Sequence, residues 1–116
     1  MEQNAATERA IVETYLSIPS GWHLEVAMRY FRVIWKFNKP EHPIEILTEI
    51  DDLDMETRKV QLYPDGHRER ADANNHDVDT ELSYEPFPTI DEINQDPQFV
   101  ASAMSQDDFE REWAKA

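Results

Sequence analysis

Three stretches of residues 29–63 alternate side-chain character with a period of two, and turn-forming residues separate them. This pattern constrains the fold most, because a β-strand sends successive side chains to opposite faces. In residues 29–37, Phe31, Val33, Trp35 and Phe37 share one face, and Tyr30, Arg32, Ile34 and Lys36 share the other. The second face is mixed, which predicts partial cover. Asn38, Lys39, Pro40 and Pro43 mark a loop. Residues 44–50 form a second strand, with Ile44, Ile46, Thr48 and Ile50 opposite Glu45, Leu47 and Glu49. Asp51, Asp52, Leu53 and Asp54 make the next turn. Residues 56–63 then form a third strand, with Val60 and Leu62 inward.

Tyr63-Pro64-Asp65-Gly66 is the strongest local signal in the chain. Proline presets φ at the first central position of a turn, and glycine accepts positive φ just after it. The turn predicts a hairpin into a fourth strand over residues 67–72, whose polar side chains suit a sheet edge. Residues 73–80 lack periodicity and read as a mobile loop, and residues 81–84 as a short extra strand. Thr89 with Glu92 three residues on is a capping box, so a short helix starts there and ends at Pro97. Phe99 to Met104 is apolar and extended. Ser105 with Asp108 forms a second cap, for a helix through Lys115 that docks by Phe109 and Trp113. Near the N-terminus, Thr7 to Leu16 reads as a helix with the apolar stripe Ile11, Val12, Tyr15 and Leu16. The expected fold is therefore α+β. An antiparallel sheet of four to five strands carries N- and C-terminal helices packed on one face.

A length of 116 residues suits a single domain. Without cysteine, disulfides, thiolate catalysis and cysteine-ligated metals are excluded. No apolar run approaches the length of a membrane-spanning helix, and the N-terminus lacks the pattern of a signal peptide. The chain is thus expected to be cytoplasmic. Its net charge is −14, unevenly spread. Residues 1–70 carry 13 acids and nine bases, whereas residues 71–116 carry 12 acids and only Arg111 and Lys115 as bases. That balance opposes binding to nucleic-acid phosphates and favours a basic protein partner.

Several ordered segments carry a resemblance. They are Val33-Ile34-Trp35, Glu56 to Val60 leading to Asp65-Gly66, Glu85-Pro86-Phe87-Pro88, Glu92 to Phe99, and Phe109 to Trp113. Over residues 28–113 the chain resembles a family of small bacterial domains of unknown function. It is loosely similar to acidic proteins found beside toxin genes. The family implies a fold unit and no established chemistry. Residues 1–27 are outside the resemblance. They read as an N-terminal extension, either packed helix or the product of an upstream start codon, before a domain of residues 28–116.

No motif assigns catalysis. The acidic turn Asp51, Asp52, Asp54 and Glu56 lacks the glycine and terminal glutamate of a calcium-binding loop. His23, His42, His67 and His76 have no zinc-ligand spacing, and His76 with Asp77 and Asp79 reads as solvated surface. The serines lack a nucleophile-elbow context, and two glycines cannot build a phosphate-cradling loop. The expectation is a domain with no catalytic residue, no metal and no cofactor. It binds a basic protein through Asp72, Asp77, Asp79, Glu81 and Glu85, in the manner of an immunity-type neutraliser of a basic toxin. The alternative is a small-ligand or enzymatic domain using Tyr30, Arg32 and Lys36 on the sheet face. A basic sheet set against an acidic C-terminal half also suggests a homodimer.

Overall fold

A computed structural model describes residues 27–36 and 39–116. The expected N-terminal helix lies outside these residues, as do its packing beside the C-terminal helix and the placement of Phe37.

Five antiparallel strands form one sheet. They are β1 (Arg29–Trp35), β2 (Glu45–Ile50), β3 (Glu56–Leu62), β4 (Arg68–Asp72) and β5 (Phe99–Ala103). Their spatial order is β4-β3-β2-β1-β5. The first four strands follow one another through hairpins. The chain then crosses back and adds β5 on the far side of β1, with Val33 opposite Ala101. Two helices complete the α+β fold, α1 (Ile90–Asn94) and α2 (Gln106–Lys115).

Local chemistry explains the punctuation. Gly66 adopts φ +92°, and its N–H donates to the Tyr63 carbonyl at 2.9 Å. This is the glycine that a hairpin turn of this length requires. In the turn before β3, the Asp51 carboxylate accepts from the N–H groups of Leu53 (2.8 Å) and Met55 (3.0 Å). Asp54 takes a positive φ of 64° there, which aspartate tolerates better than most residues. Both helix caps form. Thr89 and Glu92 make the reciprocal capping box of α1, and the Ser105 side chain accepts from Asp108 N–H at the start of α2.

The pleat divides the core in two. Tyr30, Leu47 and Val60 point to the face that α2 covers, where Phe109 is wholly buried among them. The mixed face of β1 is thus the one that holds Tyr30 in the core. Val33 and Ile46 point the other way, toward Phe87, Pro88 and Ile93 of the segment before β5. Phe31 stacks on Phe87 on that side, with ring centroids 5.5 Å apart.

Arg58 fastens α2 to the sheet. Its guanidinium meets the Glu49 carboxylate bidentately, at 2.9 and 2.7 Å, and reaches Glu110 of α2 at 3.0 and 2.6 Å. It also lies 5.0 Å from the ring centroids of both Phe109 and Trp113. Tyr30 Oη donates to Glu49 at 2.8 Å. Burial alone would raise the Glu49 carboxyl, but hydrogen bonds from Arg58, Thr57 and Tyr30 outweigh it and hold the group at about 2. Burial, followed by the bond to Glu49, pushes the Tyr30 hydroxyl up to about 12.

Both sheet edges are closed at their centres. On β4, Arg70 N–H donates to Asp77 Oδ2 at 2.9 Å, and the Arg70 carbonyl accepts from Asp77 N–H at 3.0 Å. On β5, the Asn94 side-chain amide accepts from Ala101 N–H at 2.7 Å and donates to its carbonyl at 3.0 Å. The polar fourth strand is an edge strand, as its sequence suggests. The short strand expected at residues 81–84 does not form. There, backbone groups bond to side chains instead of to a ladder. Ser83 N–H donates to Glu56 Oε1 at 2.7 Å, and the Glu81 carbonyl accepts from Lys59 Nζ at 3.0 Å. Among the described residues, no helix is long and apolar enough to cross a membrane.

Candidate protein-binding surface

The candidate surface is built on the segment after β4. Asp72 ends that strand and turns the chain, because its carboxylate accepts from the N–H groups of Asn74 and Asn75, each at 2.9 Å. Those two bonds hold the Asp72 carboxyl below its ordinary range. The turn brings residues 75–77 back alongside β4, with a bridge between Ala71 and His76. Thr80, wholly buried, places its hydroxyl 3.0 Å from side-chain oxygens of both Gln61 and Glu69. Glu81 and Ser83 are then tied to β3 as described above.

These ties decide where the five predicted carboxylates stand. Asp72 and Glu81 come together in the wall of a hollow of about 370 Å³, with Ala73, His76, Leu82 and Tyr84. Asp72 and Asp77 share a second hollow with Arg70, His76 and Trp113. Asp79 and Glu85 line neither. Asp77 has one carboxylate oxygen committed to the β4 edge. Among the described residues, the carboxylates of Asp79, Glu81 and Glu85 take part in no hydrogen bond or ion pair, and all three residues are exposed.

Two apolar side chains stand out among the acids. Tyr84 is 89% exposed and Val78 is 86% exposed. Sequence reasoning missed both. The signal was available in Val78, an apolar residue in the stretch 73–80 that lacks periodicity, whereas Tyr84 fell within the short strand expected at residues 81–84.

The other candidates fall elsewhere. Tyr30 is covered by α2 and bonded to Glu49, so it does not open to a ligand on that face. Arg32 pairs with Glu45 across the strands. Asp51 and Asp54 are occupied by their own turn and by Arg29. Among the described residues, no group of three or more histidine, aspartate or glutamate side chains is placed to hold a metal ion.

A family model for a domain of unknown function, DUF6881, matches residues 29–116. The chain belongs to this family. No curated protein and no solved structure matches it. The DUF6881 unit thus starts at β1 and takes in all five strands, both helices and the acidic segment. It also contains every ion pair that joins α2 to the sheet: Arg58 with Glu110 at 2.6 Å and Arg68 with Glu112 at 2.5 Å.

Proposed function

We propose that this DUF6881 domain is a non-catalytic protein-binding domain that presents residues 72–85 to a basic protein. One observation carries the reading. The hollow that holds Asp72 and Glu81 opens beside Tyr84, so carboxylates and an exposed aromatic share one surface. A lysine or arginine of the partner enters the hollow, and Tyr84 packs against the apolar stem of that side chain or its neighbours. Asp79 and Glu85 flank this contact and steer the approach. An immunity-type neutraliser of a basic toxin is the specific form of this proposal, and the product of a neighbouring gene is the first partner to test.

The test is an affinity measurement between the full chain and such a partner at two salt concentrations. Raising sodium chloride from about 50 mM to about 500 mM weakens an interaction steered by exposed charge. Tyr84→Ala costs about 2 kcal/mol or more of binding if Tyr84 is an anchor. Asp79→Asn combined with Glu85→Gln slows association and leaves dissociation nearly unchanged. Affinity indifferent to salt and to all three substitutions rejects the reading.

A further inference from the structure

On the sheet face opposite α2, the segment leading into β5 leaves a cavity of about 390 Å³ against the strands. That volume lies in the range that takes small ligands. Val33, Ile46 and Phe99 line it from the sheet, and Phe87 and Ile93 from the covering segment. This apolar lining is interrupted by two charged residues of β3, Glu56 and Lys59. Their side chains are only 4% and 13% exposed and pair at 3.0 Å. A buried ion pair in an apolar wall gains little net stability, because desolvation offsets the attraction.

The two partners differ in what they have left to offer. Glu56 is saturated. Besides Lys59, it accepts from Ser83 N–H at 2.7 Å and from the Thr48 hydroxyl at 3.1 Å. The Lys59 ammonium has three donors. One meets Glu56 and one meets the Glu81 carbonyl at 3.0 Å. Among the described residues the third has no acceptor.

We propose that this cavity binds a small, uncharged, ring-bearing organic molecule whose carbonyl oxygen accepts the third Lys59 proton. The apolar walls take the ring. Glu92 and Asp96 on the α1 side, with Glu56 beneath, disfavour an anion. Lys59 disfavours a cation at the acceptor position. The proposal does not rest on the hollow beside Tyr84 that carries the protein-binding reading.

Its test is a nuclear magnetic resonance titration of the isotope-labelled full chain with benzamide, toluene and benzoate. Benzamide is expected to shift the backbone amides of Val33, Ile46, Lys59 and Phe99 saturably. Toluene binds about tenfold more weakly, the fold-change that one hydrogen bond to a charged group supplies. Benzoate binds more weakly than benzamide. Ile93→Trp, which adds bulk to the cavity wall, abolishes the benzamide shifts while the spectrum stays dispersed. Lys59→Met brings benzamide to the level of toluene, and if that variant does not fold, the wild-type ratio of the two ligands decides. Equal affinity for toluene and benzamide overturns the role of Lys59. Tighter binding of benzoate overturns the uncharged class. No saturable shift with any ligand, or binding unchanged by Ile93→Trp, overturns the site.

Discussion

Removing the Arg58 guanidinium would leave the Glu49 carboxylate, 6% exposed, without its two strongest donors. Breaking one side of a buried pair costs about 3–5 kcal/mol, so Arg58→Met should destabilise the fold by that amount in urea unfolding. Glu110 is the contrast. Its side chain is 44% exposed, so Glu110→Gln should cost about 1 kcal/mol or less. Acid should act through Glu49 as well. The folded chain binds this proton more weakly than the unfolded chain, with a carboxyl at about 2 against an ordinary 4.5. The stabilisation is complete above pH 4.5 and is lost as pH falls toward 2. Its size is about 3 kcal/mol. Thermal melts across that interval should show the loss, and Glu49→Gln should flatten it. Phe109→Ala, at the one wholly buried aromatic of α2, should cost about 3–5 kcal/mol.

Elements were legible in the sequence where their chemistry is local. The caps Thr89 with Glu92 and Ser105 with Asp108 span three residues each, and both form. Ser105→Ala should therefore lower stability by about 1 kcal/mol. The first four strands and the turn at Gly66 were readable because alternation and turn chemistry need no distant partner. What joins the elements was not readable. Arg58 meets Glu110 across 52 residues of chain, and Glu56 meets Ser83 across 27. No periodicity encodes such pairs. The extra strand expected at residues 81–84 failed for this reason, since side chains of β3 take the backbone groups that a ladder would have used. Strand order was equally hidden, and with it the need to close two edges. Asn94 closes one of them with a single amide. Asn94→Leu should expose the Ala101 N–H and carbonyl to pairing with other chains. Sedimentation at increasing concentration should then show more association than the parent chain does.

Across the whole molecule, the acids of residues 71–116 include two contrasting groups. Glu110 and Glu112 of α2 neutralise Arg58 and Arg68 of the sheet. The basic strands and this part of the acidic half therefore satisfy each other within one chain. Asp79, Glu81 and Glu85 remain exposed without such partners. Surface carboxylates of this kind contribute little to folding, and in a chain of charge −14 they repel their neighbours. Replacing all three with their amides should change stability by less than about 0.5 kcal/mol in either direction, or raise it slightly. A large loss in urea unfolding would assign them a structural role. Residues 73–80, which read as a mobile loop in the sequence, are tied at short intervals, and so are residues 81–83 after them. Asp77 holds the β4 edge, Thr80 is wholly buried, and Glu81 and Ser83 are anchored by Lys59 and Glu56. Only residues 78 and 79 lie between the first two ties. A partner meeting this surface therefore finds most of the ordering entropy already lost, before encounter. Association would have the calorimetric character of rigid docking, with a heat-capacity change matched to the contact area alone. Folding of the segment would add nothing to that signature.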